Sequence, residues 1–310
     1  METVVTLTLN PAVDLNTTVD AMLPEHKLRC RDSQYDPGGG GLNVARVVQA
    51  LGGEAIAAWT RGGPTGEMLH ALLDAEKLRH APLSIAQPTR ESVTVTEAST
   101  NAQYRFVLEG PTLSAAEAER MERYVAELAP TPDYLVLSGS LPPGLPDDFY
   151  VRLARRAGGR TRVIVDTSGA ALGALKGSRV FLIKPNLREL SLLVKRELET
   201  LAEVVQAARS LVYEGTSEAV FVSMGGRGAL LVTRDRHDAI MAPPVKPASR
   251  VGAGDSSVGG MVAALTRGMD LSQAARFGVA AGSACVMTPG TRLCTRADTE
   301  RLFRSMGDPS

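Results

Sequence analysis

The chain carries two kinds of hydrophobic pattern that take turns along its length. Continuous aliphatic runs, such as residues 4–9, 134–138 and 180–183, are typical of strands that are buried on both faces. Over residues 115–128 and 201–213, apolar residues instead recur every three or four positions, as on one face of a helix. From the first of these helices onward the two kinds alternate regularly, which predicts parallel strands connected by helices. We therefore expect a layered α/β fold with a mostly parallel central sheet.

Two segments depart from this alternation and predict extended chain instead. Residues 15–36 contain Pro24, are followed by Pro37 and show alternating polar positions, and residues 90–109 show two alternating runs around a hairpin turn. We predict that these segments form a small separate sheet, which serves as a lid over the site and whose outer face can pair with another subunit. The chain as a whole, residues 1–310, is expected to be one domain into which the lid segments are inserted.

The composition narrows the possible functions. Apolar residues make up 44% of the 310 positions but aromatic residues only 4%, so the expected core is large and aliphatic. Lysine plus arginine equal aspartate plus glutamate at 34 each, and the lack of a basic block argues against a nucleic-acid partner. The sequence shows neither a secretory leader nor an apolar stretch long enough to span a bilayer, so no membrane partner is expected. Three cysteines without metal-ligand spacing and four scattered histidines predict a reduced, cytoplasmic protein with no structural zinc and no histidine cluster.

The most informative stretch is a glycine-rich turn followed by a helical pattern. The helix is predicted to begin near Asp255, so that Gly252, Ala253 and Gly254 lie just before its first turn. Free backbone N–H groups at a helix N-terminus bind anions, and glycines let an anion approach them closely. A carboxylate at that place can accept the proton of a substrate hydroxyl, so the stretch suits transfer of a phosphoryl group to an alcohol. The alternative is that Asp255 only caps the helix.

Two further loops carry candidate ligand-binding residues. Asp14 follows the first predicted strand, at the sheet edge where open α/β folds bind ligands, and a solvated loop aspartate is the alternative. Four glycines at 38–41 precede a second amphipathic helix, which indicates a ligand-facing loop rather than a linker, with Asn43 placed to hydrogen-bond sugar hydroxyls. Lys27 and Arg29 are predicted to share one side of a strand, as a phosphate clamp or as a surface charge pair.

An asparagine and a glutamate follow the strand predicted at 180–184. Asn186 and Glu189 are three positions apart and share a face if a helix starts there. Their oxygen atoms suit a hydrated magnesium ion, and a helix-capping pair is the alternative. The chain lacks the G-x-x-x-x-G-K-[ST] loop, the dinucleotide-binding glycine pattern and the protein-kinase motifs. A phosphoryl transfer here would therefore depend on helix N-termini, glycine loops, one carboxylate base and magnesium.

Three motifs together resemble the signatures of the PfkB/ribokinase family of carbohydrate kinases. They are residues 38–46, residues 251–256 and the N-x-x-E motif within residues 184–189, and they occur in the family's order across essentially the whole chain. The resemblance implies a ribokinase-like three-layer α/β/α sandwich with a small β-sheet lid. It is strongest for the bacterial members that phosphorylate fructose 6-phosphate, on the evidence of residues 6–9, 27–30, 138–144 and 290–294.

The reaction that this resemblance implies is ATP-dependent phosphorylation of fructose 6-phosphate at its C1 hydroxyl, which yields fructose 1,6-bisphosphate. Asp255 is the implied base, and the implied anion-binding groups are the backbone N–H groups of Gly252, Ala253 and Gly254. The implied sugar-binding residues are Asp14, Gly39, Gly40 and Asn43 for the hydroxyls, and Lys27, Arg29, Arg90 and Ser138 for the sugar phosphate. The implied ATP-binding residues are Lys184, Asn186, Ser223, Gly225, Gly226, Gly228, Gly254 and Ser283, and Glu189 is expected to orient magnesium-bound water.

The resemblance also implies a monovalent cation, potassium, beside the glycine-rich turn, and a homodimer that forms through the lid sheet. The residues expected around the cation are Ser249, Val251, Cys285, Thr288, Gly290 and Arg292. Two substrates on the same scaffold remain as alternatives, namely fructose 1-phosphate and tagatose 6-phosphate. A non-catalytic sugar or nucleotide sensor is the alternative from another class, and it would keep the pocket without needing Asp255.

Overall fold

The structure is a computed structural model that describes residues 2–307. Its strands are β1 (Val4–Thr8), β2 (Ala12–Val19), β3 (Arg31–Gly38), β4 (Ile56–Arg61), β5 (His80–Ser84), β6 (Arg90–Glu97), β7 (Gln103–Val107), β8 (Tyr134–Ser138), β9 (Arg162–Asp166), β10 (Val180–Ile183), β11 (Ser217–Ser223), β12 (Ala229–Thr233) and β13 (His237–Ile240). Its α-helices are α1 (Gly40–Ala50), α2 (Gly63–Ala75), α3 (Ala115–Ala126), α4 (Phe149–Arg156), α5 (Gly169–Gly173), α6 (Leu187–Val194), α7 (Leu201–Tyr213), α8 (Ala253–Leu265), α9 (Leu271–Val286) and α10 (Arg296–Ser305). In this described range no helix combines the length and the hydropathy needed to cross a membrane.

Nine strands form the large sheet, in the order β13-β12-β11-β10-β9-β8-β1-β4-β5. Neighbouring strands from β11 to β5 pair in parallel, and β12 and β13 pair antiparallel at one end. The first strand, β1, lies in the interior between β8 and β4, so the order of the chain reverses beside it. Ligands of open α/β sheets bind at such a reversal, outside the carboxyl ends of the strands. The mostly parallel sheet predicted from the hydrophobic pattern is confirmed.

Helices cover both faces of the large sheet and complete three layers. On one face α1, α2 and α9 pack through aliphatic and aromatic residues that include Val48, Leu69 and Phe277. On the other face α3 and α4 pack through residues that include Met121 and Phe149. Burial of both sheet faces explains why the strand sequences are nearly continuous aliphatic runs. The predicted α/β/α sandwich is therefore confirmed.

Two glycines allow α8 to pack tightly between α1 and α9. A Cβ atom added to Gly259 would lie 2.6 Å from the Cβ of Val47 in α1. A Cβ atom added to Gly260 would lie 2.6 Å from the Cβ of Ala281 in α9. Both distances are below any normal carbon–carbon contact, so larger residues would push the helices apart. This packing fixes the direction of α8, whose N-terminus points to the carboxyl edge of the sheet.

The small sheet is built from the two segments that depart from the α/β alternation. Its strand order is β3-β2-β6-β7, with β2 and β6 paired in parallel and each outer strand antiparallel to its neighbour. Residues 20–30 form turns and irregular chain, so the first predicted extended segment is divided into two strands. The sheet exposes aromatic side chains, with Tyr35 44%, Tyr104 38% and Phe106 48% accessible. The assignment of the whole chain to one domain stays a prediction.

The prediction that the histidines are scattered is wrong at one place. His70 and His80 meet around Asp74, with distances of 3.4 and 3.1 Å between each Nε2 atom and a carboxylate oxygen. The indole of Trp59 donates a hydrogen bond of 3.2 Å to Nδ1 of His80, which places the proton of a neutral ring on Nε2, toward Asp74. Hydrogen bonds with Trp59 and Asp74 thus hold the His80 ring in its orientation.

Candidate active site

A cavity of about 340 Å³ opens at the carboxyl edge of the large sheet, beside the strand reversal at β1. Its walls come from the ends of β8 and β9, from the N-termini of α1 and α8, and from the small sheet. The lining residues are Asp14, Gly39, Gly40, Asn43, Arg90, Ser92, Arg105, Val107, Ser138, Gly139, Ser140, Asp166, Thr167, Ser168, Glu189, Arg250, Val251, Gly252 and Asp255. The candidate residues from distant parts of the sequence thus meet in one place.

The glycine-rich turn forms the start of α8. Helix α8 begins at Ala253 with Gly252 as its N-cap, two residues before the predicted start, so Ala253 and Gly254 belong to the first turn rather than to the loop. Gly252 has a positive φ of 74°, a conformation that favours glycine. The first intrahelical bond runs from the N–H of Ser256 to the carbonyl of Gly252 at 2.8 Å. The N–H groups before it have no partner within the helix and are available to an anion.

Asp255 is the third residue of α8 and not its cap. The side chain of Asn43, in the first turn of α1, donates a hydrogen bond of 2.8 Å to Oδ2 of Asp255. Burial, and then the negative charge of Asp166, raise the pKa of Asp255 to about 6, although the Asn43 hydrogen bond opposes the shift. The carboxyl group is therefore ionised at neutral pH and is a stronger base than an exposed aspartate.

Asp14 lies opposite, in β2 of the small sheet. Burial raises the pKa of Asp14 to about 6, while the positive charges of Arg90 and Arg105 partly offset that shift. Gly38 makes room for the carboxylate, because a Cβ atom added there would lie 2.5 Å from the Asp14 carboxyl group. The alternative of a solvated loop aspartate is wrong, since Asp14 is in a strand and lines the cavity.

Arg90 is a fixed cation at the start of β6. Its Nε atom donates to Oδ1 of Asn10 at 3.1 Å, and one terminal nitrogen donates to Oγ of Ser92 at 3.0 Å. Burial lowers the pKa of Arg90, although the guanidinium group stays charged at neutral pH because arginine is normally protonated far above it. Arg105 in β7 also lines the cavity but is exposed, and it forms no ion pair among residues 2–307.

The N-terminus of α1 approaches the end of β8 closely. A Cβ atom added to Gly40 would lie 2.3 Å from Oγ of Ser138, so this approach needs glycine. Helix α1 already begins at Gly40, so Gly40 and Gly41 belong to the helix and not to the predicted loop. The Oγ atom of Ser138 is buried and has no hydrogen-bond partner in the described part of the chain. Burial of a hydroxyl group without a partner costs folding free energy unless a ligand or water bonds to it. This fits the predicted role of Ser138 in sugar binding.

A buried ion pair joins the ends of two neighbouring strands. Nζ of Lys184, directly after β10, lies 3.1 Å from the carboxylate of Asp166 at the end of β9, and the two side chains are only 8% and 13% exposed. Burial opposes the charge of Lys184, but Asp166, followed by Asp255 and Glu189, more than offsets this and raises its pKa. A Cβ atom added to Gly254 would lie 3.3 Å from Nζ of Lys184, so the ammonium group lies beside the N-terminus of α8.

The capping alternative for Asn186 and Glu189 is confirmed. Asn186 Oδ1 accepts from the N–H of Glu189 at 2.9 Å, and Glu189 Oε2 accepts from the N–H of Asn186 at 2.8 Å. These bonds form a capping box at the start of α6. Glu189 nevertheless lines the cavity, so its carboxylate faces the same space as Asp166 and Asp255. The capping role and a role near a metal ion are therefore compatible.

The other residues predicted for ATP lie beside the cavity rather than in its wall. Ser223, at the end of β11, forms an isolated β-bridge with Asn186. Gly225 and Gly226 follow in a short 3₁₀ turn, which Gly228 ends with a positive φ of 95°. Ser283 is buried within α9. Apart from Ser283, these residues continue from the cavity along the carboxyl ends of β10 and β11.

Several of the residues predicted around a monovalent cation contact one another at the C-terminal end of α9. Sγ of Cys285 lies 3.3 Å from the carbonyl oxygen of Val251 and 3.7 Å from that of Arg292. The hydroxyl of Thr288 lies within hydrogen-bonding distance of the carbonyl oxygens of Arg292 and Cys285, at 2.5 and 2.7 Å. Carbonyl oxygens are the ligands that potassium takes in protein sites, so the donor chemistry fits the prediction. Ser249 also lies at this end of α9, since its N–H donates to the carbonyl of Val286 at 3.2 Å.

The predicted sugar-binding residues divide into two groups. Six of them line the cavity, namely Asp14, Gly39, Gly40, Asn43, Arg90 and Ser138. Lys27 and Arg29 do not line it, and both are exposed in irregular chain between β2 and β3. The prediction that they share one side of a strand is wrong, and within one chain they form no clamp at this cavity. The side-chain charges instead point to solvent, as the surface alternative expects.

Three residues of the cavity carry charge that the sequence reasoning missed, namely Asp166, Arg105 and Arg250. Asp166 had a visible signal, because it ends an aliphatic strand in the same way as Asp14 follows β1. Arg105 lies in a strand whose residues are all exposed, so it resembles any surface arginine. Arg250 adjoins the glycine-rich turn, but one arginine beside a turn has no specific pattern.

The whole chain matches known proteins. The model of the family described as "pfkB family carbohydrate kinase" matches residues 3–298. Over 310 residues the chain is 45% identical to "ATP-dependent 6-phosphofructokinase isozyme 2" of Mycobacterium tuberculosis, which covers 99% of this chain and 91% of the relative. A more divergent relative is a "1-phosphofructokinase" of Haloferax volcanii, which is 35% identical over 94% of this chain and 93% of the relative. Another is a "Tagatose-6-phosphate kinase" of Staphylococcus epidermidis, which is 33% identical over 84% of this chain and 85% of the relative.

Solved structures agree with this relationship. Phosphofructokinase-2 from Escherichia coli in complex with potassium superposes with a TM-score of 0.95 at 42% identity, over 99% of this chain and 100% of the other. The same enzyme in complex with fructose 6-phosphate gives a TM-score of 0.93 at 41% identity with the same coverage, and so does its tetrameric inhibited form.

Proposed function

Since the chain belongs to the pfkB family of carbohydrate kinases, we propose that it uses ATP to phosphorylate the C1 hydroxyl of fructose 6-phosphate, which yields fructose 1,6-bisphosphate and ADP. The observation that carries the reaction type is the position of Asp255, an ionised carboxylate in the first turn of α8, beside Lys184 and facing the cavity. The choice of sugar rests on the full-length similarity to the 6-phosphofructokinases. The fold around this site is ribokinase-like.

Asp255 is the proposed general base. Its pKa of about 6 leaves it ionised at neutral pH and able to take the proton of the C1 hydroxyl. The C1 oxygen then forms a bond to the γ-phosphorus, while the bond from that phosphorus to the bridging oxygen of ADP breaks. The N–H groups of Gly252, Ala253 and Gly254 and the ammonium group of Lys184 would stabilise the negative charge on the transferring group.

The sugar is proposed to lie between the large and small sheets. Asp14 and Asn43 offer polar side chains, and Gly39 and Gly40 let the sugar approach the backbone of α1. The phosphate group of the sugar would lie near Arg90, Arg105 and Ser138. Cations there are the natural partners of a phosphate dianion, and a guanidinium group can bind it through two hydrogen bonds.

ATP is proposed to lie along the carboxyl ends of β10 and β11. Lys184 and Gly254 would contact its phosphates, and the glycines of the 225–228 turn would lie beside its nucleoside. Magnesium, when bound, neutralises phosphate charge, and Glu189 is the proposed residue that orients its water ligands. Potassium is proposed at the turn that includes the carbonyls of Val251 and Arg292, as supported by the potassium complex of the E. coli enzyme.

The proposed enzyme is a cytoplasmic homodimer that forms through the small sheet. The exposed aromatic side chains of that sheet support this arrangement, because aromatic residues are enriched at protein–protein interfaces. Tyr104 and Phe106, which are 38% and 48% exposed, lie two positions apart in β7, on the face opposite to the cavity-lining Arg105 and Val107.

A substrate panel tests the proposed function. The purified protein should show a kcat/KM with fructose 6-phosphate at least about tenfold above that with fructose 1-phosphate or tagatose 6-phosphate, since a site built for one hydrogen-bonding pattern rejects isomers that leave polar groups unpaired. Turnover is measured by coupling ADP formation to NADH oxidation. A clear preference for either of the other sugars would replace the proposed substrate. Binding of sugar and ATP without any turnover would favour the sensor.

Replacement of Arg105 is expected to separate binding from chemistry. Arg105→Gln should raise KM for the phosphosugar about tenfold or more and leave kcat within about threefold, because a charged hydrogen bond to a phosphate contributes to binding and lies far from the reacting hydroxyl. Arg105→Lys should retain part of the affinity. Arg236→Gln, which removes an exposed arginine in the β12–β13 turn, is the matched control. Equal KM values for Arg105→Gln and this control would exclude Arg105 from the phosphate site.

A further inference from the structure

A second cavity, of about 500 Å³, lies at the opposite edge of the large sheet. It opens at the amino ends of β9, β10 and β11, where Arg162, Val180 and Glu218 are found, whereas the active-site cavity lies at their carboxyl ends. Because these strands pair in parallel, the two cavities lie at opposite ends of the same strands. The second cavity is thus separate from the site of phosphoryl transfer.

Four arginines and one glutamate line this second cavity, namely Arg155, Arg160, Arg162, Arg179 and Glu218. Within residues 2–307 none of the four arginines lies within 4.0 Å of a carboxylate oxygen. Two adjacent cations behave differently: Arg156 pairs with Glu122 at 3.0 Å, and Lys176 pairs with Glu214 at 2.8 Å. Glu122 and Glu214 are therefore engaged outside the cavity, and with Glu218 as its one acidic lining residue the cavity keeps an excess of positive charge in a chain whose net charge is zero.

The guanidinium group of one arginine, Arg162, is held in place by its surroundings, and Arg179 is anchored through its backbone. The guanidinium group of Arg162 lies 5.5 Å from the ring centres of both Tyr134 and Phe181, and it donates a hydrogen bond of 2.7 Å to the hydroxyl of Tyr134. The N–H of Arg179 donates to the carbonyl of Gly215 at 2.9 Å, which fixes its backbone at the entry to β10. Cations that are already positioned lose less entropy when an anion binds.

The other polar groups of the cavity point to an anion rather than to a neutral ligand. The hydroxyl of Thr161 donates to the carbonyl of Pro132 at 2.9 Å, and the hydroxyl of Ser178 donates to the carbonyl of Thr216 at 3.1 Å. Both hydroxyl groups therefore donate their hydrogen bonds within the protein and have no donor left for a ligand. What remains available is one carboxylate, Glu218, and a set of four guanidinium donors, whose planar fork matches phosphate and carboxylate oxygens.

We propose that this second cavity is a binding site for a small polyphosphorylated anion, a molecule with at least two phosphoryl groups. Its volume is in the range of small-molecule sites, about 300–1,000 Å³. With Glu218, the four guanidinium groups carry a net charge of about +3, which exceeds the charge of about −2 on one phosphate group. Their spread over α4, the following loop and the starts of β9 and β10 suits charges that are spaced along a ligand. The proposal does not depend on the identity of the sugar that is phosphorylated at the other edge.

The probe is inorganic tripolyphosphate, titrated into the full-length protein by isothermal calorimetry in magnesium-free buffer. Arg155→Gln/Arg160→Gln should weaken its binding about tenfold or more, because each substitution removes charge-assisted hydrogen bonds. Both side chains are exposed, so the melting temperature should stay unchanged. The matched control is Arg123→Gln/Arg236→Gln, which removes two exposed arginines outside the cavity and should leave the affinity within about twofold.

The active-site cavity also contains cations, so a second pair of substitutions separates the two sites. Arg105→Gln/Arg250→Gln removes two exposed arginines from the active-site cavity and should leave binding at the second cavity intact. The proposal is overturned if the wild-type protein shows no tripolyphosphate binding. It is also overturned if Arg155→Gln/Arg160→Gln binds as the wild type does, or if the loss of binding follows only Arg105→Gln/Arg250→Gln.

Discussion

Asp255→Asn is expected to lower kcat by about 10²–10⁴-fold while KM for both substrates changes little. The asparagine keeps the shape of the side chain and its contact with Asn43, but it cannot accept the hydroxyl proton. Turnover is measured with saturating ATP and sugar phosphate. Asp148→Asn, an exposed residue at the N-cap of α4, is the control and should retain full activity. Full activity in Asp255→Asn would show that another group is the base.

The pH profile provides an independent reading of the same residue. The pKa of Asp255 is raised to about 6, so the fraction of enzyme with an ionised base falls as the pH drops through that value. In the wild type kcat/KM should therefore decline about tenfold for each unit below about pH 6. In Asp255→Asn, the residual kcat/KM should no longer show the part of this decline that comes from protonation of Asp255. The pKa of Asp14 is also raised to about 6, so protonation of Asp14 contributes to the decline of kcat/KM at low pH. The pH profile of Asp14→Asn separates this contribution from that of Asp255.

Stability measurements distinguish a base from a structural cap. The pKa of Asp255 lies above its ordinary value of 3.8, which means that folding disfavours the ionised form. A neutral asparagine should therefore leave the free energy of unfolding at pH 7 unchanged or raise it. If Asp255 acted mainly as a helix cap, Asp255→Ala, which removes the capping oxygen that asparagine keeps, would instead cost about 1 kcal/mol. Gly252 occupies the cap position, so we expect no such loss.

The sequence was sufficient for the parts of the site that lie within one local pattern. The anion-binding turn and Asp255 are close in sequence, and the helical spacing after them shows where the chain turns. The start of α8 was still misplaced by two residues, because glycine and alanine in a first turn carry no apolar signal. The start of α1 was misplaced for the same reason, since Gly40 and Gly41 look like a loop until the contact with Ser138 is seen.

Features that depend on the order of strands were beyond the sequence reasoning. Asp166 and Lys184 are 18 positions apart, and they meet because β9 and β10 are neighbours in the sheet. The four arginines of the second cavity come together for the same reason at the other edge. Lys27 and Arg29 were misplaced for a local reason instead, because an alternation of polar residues suggested a strand where the chain is irregular. Pattern reasoning thus finds elements, and tertiary pairing decides which charges meet.

The Asp166–Lys184 pair should be the most sensitive electrostatic element of the fold. Asp166→Ala leaves the ammonium group of Lys184 buried without its partner, and breaking a buried pair in this way costs about 3–5 kcal/mol of unfolding free energy. The loss is measured by urea unfolding at pH 7. Lys176→Ala removes one partner of an exposed pair with Glu214 and should cost less than about 1 kcal/mol.

The double variant Asp166→Leu/Lys184→Met separates the structural role of the pair from its role in the reaction. Removing both charges leaves no unpaired ion, so most of the stability lost in Asp166→Ala should return. Activity should not return, because no ammonium group then lies beside Gly254 to offset the charge of the transferring phosphoryl group. A double variant that is stable and at least half as active as the wild type would show that Lys184 serves only the fold. A single variant as stable as the wild type would show that Lys184 reaches water when its partner is lost.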